Sequence, residues 1–384
     1  MPCEVGYMLK INYSLESGVQ KSVADISAPA ELNIQVRNLV LKARKGQKIS
    51  RGEIIAEHPS KFGGACHAAA SGKAVKVNYH HLTIKCDGGE SAVEPVDVQS
   101  MGPGKELLRT LQGLGIDVAP LSSRTETLVI NGLNSEPGIS VSEQLLRDEK
   151  EILEAGLRLA ETLITPMHTA LAVAYGSSFS LHGAQTAYVK PKYPRSLDAL
   201  TVKAVTGKEY PEDTKILSIM DLYDLGLVAK YGLPVTSTIM TISGKNYRVA
   251  LGTPIRHLLS ELDIKVQSGD KVVLGGPFRG EAVYSLDEGV KKGDYGLFVI
   301  SADEFPSIED ATCINCGECV LSCPARILPN MISRYAEYER FEMAEKYNLN
   351  SCFECGLCSF NCTVRRPILQ YIRFAKDQLR TGGV

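Results

Sequence analysis

The sequence lacks the features that mark three classes of protein. Its 384 residues carry a net charge of -2, so it has no basic surplus of the kind that nucleic-acid-binding proteins show. No apolar stretch approaches the roughly 18 residues that a membrane-spanning helix needs. The start, "MPCEVGYMLKINYSLESG", does not have the basic and then apolar order of a secretion signal. We therefore expect a cytoplasmic protein, and a chain of this length predicts two to four domains.

Cysteine, in contrast, is abundant and clustered. The chain has 11 cysteines, and eight of them lie in two runs of equal spacing, "CINCGECVLSCP" and "CFECGLCSFNC". A reducing cytoplasm disfavours disulfides, and soft thiolates select iron–sulfur clusters, zinc or copper(I). Zinc sites usually combine two separated cysteine pairs, whereas each run here has three cysteines at every third position and a fourth further on. One tight loop of this kind can wrap three corners of a cubane, so the runs predict two 4Fe–4S clusters, with a pair of zinc sites as the alternative.

The doubled run also predicts which cysteines act together. In bacterial two-cluster ferredoxins the fourth cysteine of each run binds the cluster of the other run. We therefore assign cluster one to Cys313, Cys316, Cys319 and Cys362. Cluster two takes Cys352, Cys355, Cys358 and Cys323. Two clusters in one small module predict electron transfer, and we assign no catalytic residue.

The other three cysteines are scattered through β-type sequence, where a free cysteine behaves as a small hydrophobe. We predict that none of them is a cluster ligand: Cys3, Cys66 and Cys86. The segment between the runs and the segment after Pro367 are helical by periodicity. Five cations make this end of the chain basic: Arg365, Arg366, Arg373, Lys376 and Arg380. We interpret them as a solvated helix face, with a docking surface for an acidic electron-transfer partner as the alternative.

Three further regions precede the cysteine-rich one, which spans residues 303–384. Residues 1–98 contain short β-type runs broken by glycine, such as "LKARKGQKISRGEIIAE", and predict an all-β sandwich of the lipoyl type. Residues 99–235 alternate strands such as "TETLVINGL" with helices, which predicts a parallel α/β sheet. Residues 236–302 return to β-type sequence with one helix, "IRHLLSEL", as in a β-grasp module.

The α/β region carries two more specific predictions. The stretch "SVSEQLLRDEKEILEAGLRLAETLI" reads as one long amphipathic helix, with Ser140 or Ser142 as its cap. Parallel sheets bind ligands beyond the carboxyl ends of their strands. A nucleotide or flavin would therefore lie at "NGLNSEPG", which follows the strand that ends "LVI".

Together these motifs resemble the RnfC subunit of Rnf-type electron-transport complexes and, more distantly, the flavin subunit of NADH-quinone oxidoreductases. The resemblance covers nearly the whole chain and rests on "KGQKISRGEIIAE", "HAAASGKA", "LVINGLNSEPG", "AVTGKEYP", "LGTPI", "GGPFRG" and the two cysteine runs. It implies a barrel-sandwich domain, an FMN- and NADH-binding α/β domain, a β-grasp module that binds a soluble ligand, and a two-cluster ferredoxin-like helical domain.

The chain departs from that family at the implied flavin site. The family's glycine-rich loop cradles the flavin phosphate with backbone amides. Here Gly113 and Gly115 remain, but bulkier residues and Asp117 follow them, and the carboxylate is expected to repel a phosphate. The acidic pair of the family is reduced to Glu136, and "RSLD" replaces a Gly-Gly-Glu stretch after Tyr193 and Pro194. We therefore predict a degenerate FMN and NADH site, with FMN not bound.

The expected function is that of an oxidoreductase subunit. We predict an electron relay in a membrane-associated Rnf-like complex, peripheral on the inner face of the cell membrane through its partner subunits. Its two 4Fe–4S clusters would take electrons from a soluble carrier such as reduced ferredoxin. The alternatives are an active FMN-dependent NADH dehydrogenase subunit of the same family and a soluble electron carrier similar to a corrinoid reductase.

Overall fold

The computed structural model describes residues 13–18, 21–89, 92–209, 211–302, 304, 308–309 and 311–381. It shows a mixed α/β architecture of several sheets, one of them parallel, followed by a helical C-terminal region. None of the helices in these ranges is long and apolar enough to cross a membrane. Cys3 lies outside the described residues, so what the sequence predicts for it stays a prediction.

Two small sheets around one apolar core form the first region. After β1 (Ala24–Asp25), which joins a later sheet, the strands are β2 (Glu31–Gln35), β3 (Val40–Leu41), β4 (Lys48–Ile49), β5 (Ile54–Glu57), β6 (Cys66–His67), β7 (Gly72–Val77) and β8 (His81–Cys86). The sheet orders are β2-β8-β7-β4 and β3-β5-β6. Apolar residues of both sheets, among them Leu32, Ile55 and Ile84, are fully buried in the shared core. The described part of this region is all-β, as predicted.

A parallel sheet of order β11-β10-β9-β12 organises the second region. Its elements are α1 (Lys105–Gly113), β9 (Thr127–Asn131), α2 (Val141–Asp148), α3 (Lys150–Ile164), β10 (His168–Ala174), β11 (Gln185–Val189), α4 (Asp198–Thr206), β12 (Thr214–Ser218) and α5 (Ile219–Tyr231). Gly156 and Gly226 let α3 and α5 approach closely, because a side chain at either position would meet the backbone of the other helix. The predicted parallel α/β sheet is confirmed.

The prediction of one continuous helix after Ser140 is wrong, because α2 and α3 are separate and meet at Glu149, whose backbone is not helical. Both helices contact α5, but only α2 also reaches the third region. The Ser140 hydroxyl donates to Oδ1 of Asn246 in the third region at 3.0 Å, which ties the start of α2 to that region. In contrast, α3 lies along α5. Ser140 precedes α2, but its side chain makes this contact rather than a capping bond.

The third region is a six-stranded mixed sheet of order β1-β14-β13-β17-β15-β16. Its elements are β13 (Ser237–Ile242), β14 (Lys245–Ala250), α6 (Ile255–Glu261), β15 (Lys271–Leu274), β16 (Glu281–Ala282) and β17 (Gly296–Ile300). Strand β1 pairs in parallel with β14. A segment from the N-terminal part of the chain therefore completes the sheet of this region.

The C-terminal region repeats one backbone pattern. Its helices are α7 (Glu318–Leu321), α8 (Pro329–Glu337), α9 (Phe341–Lys346), α10 (Leu357–Phe360) and α11 (Ile368–Thr381). Each cysteine of the first run has its counterpart 39 positions later. A left-handed residue and a left-handed glycine precede the short helix in both halves, Asn315 and Gly317 before α7 and Glu354 and Gly356 before α10. A loop that turns three thiols inward has to curl this tightly, and glycine adopts the left-handed conformation without strain.

Candidate iron–sulfur centres

The cysteines of the two runs surround two separate cavities. The first cysteine cavity is lined by Cys313, Cys316, Cys319 and Cys362. The second cysteine cavity is lined by Cys323, Cys352, Cys355 and Cys358. The fourth cysteine of each run thus lies at the cavity of the other run, which is the grouping that the crossed assignment uses. That these eight residues bind clusters stays a prediction.

Each cysteine cavity places four thiols around a shared centre. Among the described residues, no group of three or more His, Cys, Asp or Glu side chains converges as a bound metal ion requires. A zinc site draws its sulfurs to about 2.3 Å from one point, whereas a cubane holds its thiolates around a wider centre. Two buried polar atoms at the first cavity, Arg366 Nε and Asn330 Oδ1, have no hydrogen-bond partner within the described chain. Of these two atoms only Arg366 Nε–H is a donor, and cluster sulfurs accept hydrogen bonds from such donors, whereas Asn330 Oδ1 is itself an acceptor.

The second cysteine cavity is held in place by other regions of the chain. The Tyr193 hydroxyl donates to the carbonyl of Cys355 at 2.6 Å. Phe278 stacks on Tyr193, with the ring centroids 4.8 Å apart. On the opposite side, Lys376 Nζ donates to the carbonyl of Cys352 at 2.8 Å. The loop around this cavity is therefore fixed by the α/β region, by the third region and by α11.

Both cavities contain buried thiols, and the exposed Cys316 distinguishes the first from the second. Burial raises the pKa of the Cys355 thiol to about 11 and also raises the pKa of Cys358. Thiolates at these positions need a compensating positive charge, which the iron of a cluster supplies. Cys316 of the first cavity is exposed, and hydrogen bonds from the Glu318 backbone and the Thr363 hydroxyl lower its pKa.

The basic side chains near the C-terminus are all engaged. Their acidic partners lie within salt-bridge distance: Arg365–Glu309, Arg366–Glu337, Arg373–Glu354, Lys376–Glu354 and Arg380–Asp377. The side chain of Arg366 is only 3% exposed, so it does not belong to a solvated helix face. Each of these five cations therefore has an acidic partner, while Arg365 and Arg380 remain 39% and 79% exposed.

A larger cavity of about 450 Å³, which we call the strand-end cavity, lies beyond the carboxyl ends of the parallel strands. Asn131 and Ser218, the last residues of β9 and β12, both line it, as do Leu133 and Ser135 of "NGLNSEPG". Its volume falls within the roughly 300–1,000 Å³ of small-molecule sites. Phe353 lines both this cavity and the second cysteine cavity, so the two are neighbours.

The two glycines predicted to remain from a flavin cradle are not among the residues that line the strand-end cavity. The carbonyl of Gly113 lies 2.8 Å from Nε2 of His67 in the first region. The carbonyl of Gly115 accepts a hydrogen bond from Lys292 Nζ at 2.9 Å. The segment therefore joins the α/β region to its neighbours on both sides.

Asp117 also lies away from the strand-end cavity. Its carboxylate accepts a hydrogen bond from the Gly64 N–H at 2.8 Å, and it lines a smaller cavity together with Lys292. Asp117 is therefore not among the residues that line the strand-end cavity, although the smaller cavity shares Ile216 and Asp221 with it. The sequence could not show that the loop turns this side chain toward the first region.

Glu136, the third residue predicted at the flavin site, supports a loop instead. Its Oε2 accepts hydrogen bonds from the backbone N–H groups of Phe278 at 2.7 Å and Arg279 at 3.1 Å. Burial raises the pKa of Glu136, while these two hydrogen bonds act to lower it. The carboxylate thus anchors the "GGPFRG" loop, whose Phe278 packs against the second cysteine loop.

Two carboxylates do line the strand-end cavity: Asp198, the last residue of "RSLD", and Asp221, which sequence reasoning missed. Both lie in the first turn of a helix, α4 and α5 respectively. Asp221 and Ser218 form a reciprocal capping box, which satisfies N–H groups that an anion would otherwise bind. Burial raises the pKa of Asp198, although Asn131 donates a hydrogen bond to it at 3.1 Å. The spacing of Ser218 and Asp221 before a helix is a signal that the sequence offered.

Comparison with known proteins first defines the class of the C-terminal region. A family described as "4Fe-4S dicluster domain" matches residues 305–363, so this region is that of a dicluster iron–sulfur protein. The chain is 24% identical over 388 residues to the C subunit of the proton-translocating ferredoxin:NAD(+) oxidoreductase complex of Clostridium ljungdahlii, covering 88% of this chain and 85% of that protein. It is 26% identical over 415 residues to the C subunit of the ion-translocating oxidoreductase complex of Rhodobacter capsulatus, covering 92% and 76%.

Over most of its length the chain is thus similar to the C subunits of ion-translocating oxidoreductase complexes, which confirms the resemblance to RnfC proteins. Its iron–sulfur domain and these relatives support a role in electron transfer. Among solved structures, a chain of an NAD+-reducing NiFe hydrogenase overlaps 69% of this chain and 62% of its own length, with 13% identity and a TM-score of 0.42.

Proposed function

We infer that this chain is an electron-relay subunit with two 4Fe–4S clusters, which takes electrons from a soluble donor such as reduced ferredoxin and passes them to a partner subunit at the membrane. The observation that carries this proposal is the pair of four-thiol cavities in the crossed grouping. Bound there, each cluster would supply one-electron chemistry. The chain's own residues wrap both cavities, with the buried thiols Cys355 and Cys358 at the second and the exposed Cys316 at the first.

The surroundings of the two cysteine cavities suggest that the second is the inner end of the electron relay and the first is its outer end. Phe353 separates the second cysteine cavity from the strand-end cavity, so that end faces the interior. At the other end, Cys316 is exposed, so a redox partner can approach it. We propose that the soluble donor or the partner subunit meets the chain at this exposed end.

The proposal includes that FMN does not bind. The carboxylates of Asp198 and Asp221, rather than that of Asp117, support the absence of FMN binding. Both occupy helix N-termini at the strand-end cavity, where a phosphate would be expected to lie, and a second negative charge there is unfavourable. The α/β region then serves as a scaffold for the second cysteine loop, through Tyr193 and Glu136.

One observation favours a second candidate, an active FMN-dependent NADH dehydrogenase subunit. The strand-end cavity has the volume and the position of a cofactor site and adjoins the second cysteine cavity. A planar cofactor bound there would have a short route to cluster two through Phe353. The two candidates therefore differ in flavin content and in the electron donor.

Cofactor analysis of the anaerobically purified full chain tests both. The relay predicts about eight irons with matching sulfide per chain and no flavin. Its visible absorbance should bleach with dithionite or reduced ferredoxin and not with NADH. Stoichiometric FMN with a rapid NADH-dependent bleach would establish the dehydrogenase instead. A protein that fills with zinc and carries no sulfide would overturn both.

A further inference from the structure

Arg366 is a buried charge beside the first cysteine cavity, which it lines together with Cys362 and the other three thiols. Its side chain is 3% exposed. The preceding residue, Arg365, differs, because its side chain is 39% exposed and pairs with Glu309. A buried guanidinium is costly unless its donors are satisfied, so the partners of Arg366 decide what it does.

Most of the donors of Arg366 have a protein partner. One terminal nitrogen donates to Glu337 Oε2 at 2.6 Å, and the other donates to the carbonyl of Ala311 at 2.5 Å. The backbone N–H of Arg366 donates to Cys362 Sγ at 3.4 Å. The Nε–H is buried and has no partner among the described residues. A buried N–H without an acceptor is unfavourable, so an acceptor is expected inside the cavity.

The internal repeat shows that the fold does not itself require an arginine here. The counterpart of Arg366, 39 positions earlier, is Ile327, which is buried as well. Arg365 in turn corresponds to Arg326, and both have a left-handed backbone, so the two halves superpose in conformation at this point. One half thus has an aliphatic residue where the other has a cation. The difference points to a role at the first cavity alone.

We propose that Arg366 is a positioning residue that donates its Nε–H to a sulfur of cluster one and raises the reduction potential of that cluster. This inference rests on the proposed function, since it requires a cluster in the first cysteine cavity. Reduction adds a negative charge to a cluster. A guanidinium and an N–H donor at the sulfurs stabilise that charge and favour the reduced state. The counterpart in the other half, Ile327, carries no charge and is not among the residues that line the second cavity.

The test is a redox titration of both clusters by electron paramagnetic resonance in the anaerobic full chain. The signal of cluster one is identified by its loss in Cys316→Ala. Arg366→Gln should lower the potential of cluster one by about 59 mV, which corresponds to about a tenfold change in a one-electron equilibrium. The potential of cluster two should not change. Arg365→Gln is the matched control, because it removes the same charge from the adjacent residue and should leave both potentials near the wild-type values.

Arg366→Lys separates the hydrogen bond from the charge, and it should give a potential between those of the wild type and the glutamine variant. An unchanged cluster-one potential in an iron-replete Arg366→Gln protein overturns the proposal, and so does an equal shift in Arg365→Gln. If Arg366→Gln loses cluster one, the cluster-one potential of Arg366→Lys decides instead, and an unchanged potential in that variant overturns the proposal. Loss of cluster one from both variants would mean that Arg366 only holds the fold. Wild-type protein without two clusters would instead refute the proposed function.

Discussion

The two halves of the cysteine region share their spacing and backbone but differ in their surroundings. At the first cavity Cys316 is exposed, and two apolar side chains of the same loop and helix, Ile314 and Leu321, are 59% and 81% exposed. At the second cavity Cys355 and Cys358 are buried, as Cys319 is at the first, but none of the four thiols of the second cavity is exposed. The repeat therefore determines how each cluster would be wrapped, and the remainder of the chain determines how each half is used.

The contacts of each half with other parts of the chain also distinguish the first cavity from the second. The second loop touches the α/β region through Tyr193 and is clamped by Lys376. Among the described residues, the first loop makes no hydrogen bond with Tyr193. A buried arginine, Arg366, lies at the first cysteine cavity instead. A buried end and an open end are what a relay between an interior site and a docking partner needs. The predictions below are designed to break that distinction or to sharpen it.

The largest effect is expected from Cys323→Ala. Cys323 belongs to the first run but lies at the second cysteine cavity, so its loss should remove cluster two and lower the iron content from about eight to about four atoms per chain. Iron analysis and electron paramagnetic resonance measure this. The variant should resemble Cys355→Ala and keep the signal that Cys316→Ala loses. A spectrum that matches Cys316→Ala would show that the ligation is not crossed.

Glu354→Gln should weaken the second half alone. Glu354 accepts hydrogen bonds from Lys376 at 2.8 Å and Arg373 at 3.2 Å, and its counterpart in the first half, Asn315, carries no charge. Removing the charge should speed the loss of cluster two to an iron chelator by about tenfold at neutral pH, since hydrogen bonds to charged groups contribute about 1.5–3 kcal/mol before solvent screening. Loss of cluster one should keep its wild-type rate.

The pH dependence of this clamp has a defined sign. Burial acts to raise the pKa of Glu354, but Lys376 and Arg373 outweigh it and hold the pKa below its usual value. The stabilisation is therefore present above the ordinary pKa of about 4.5 and is lost as the pH falls through the lowered value. Glu281→Gln, which removes the exposed partner of Arg373, is the control and should leave both clusters unaffected. Equal destabilisation of the two clusters in Glu354→Gln would contradict the distinction.

A smaller effect is expected from Tyr193→Phe. The variant keeps the stacking on Phe278 but removes the hydrogen bond to the carbonyl of Cys355. It should lower the stability of the second half by about 1 kcal/mol, seen as an earlier loss of cluster-two absorbance in anaerobic urea denaturation. Tyr338→Phe, at an exposed tyrosine of the C-terminal region, should not change the loss of cluster-two absorbance. If both variants behave alike, Tyr193 does not fix the buried end.

The sequence predicted most of this architecture because its signals are local. The cysteine spacing predicts the crossed grouping, and the alternation of strands and helices predicts the parallel sheet. The contacts that it could not predict join residues far apart in the chain. Glu136 supports a loop more than a hundred residues later, and Asp117 turns toward Gly64 rather than toward the strand-end cavity. The burial of Arg366 beside the exposed Arg365 likewise depends on packing that no local pattern records.

The smallest effect is expected from the cysteines outside the repeat, and the distinction between the two halves holds only if those residues bind no iron. Cys66 and Cys86 lie in β6 and β8 and pack against the apolar core of the first region. Burial raises the pKa of Cys66 to about 11 and also raises the pKa of Cys86, so both remain neutral thiols at physiological pH. Replacing both with alanine, with or without Cys3→Ala, should leave iron and sulfide unchanged. A loss of iron from this variant would indicate a third iron site. Cys66 and Cys86 lie in a two-sheet core far before the cysteine runs, so their replacement should not disturb either cysteine cavity.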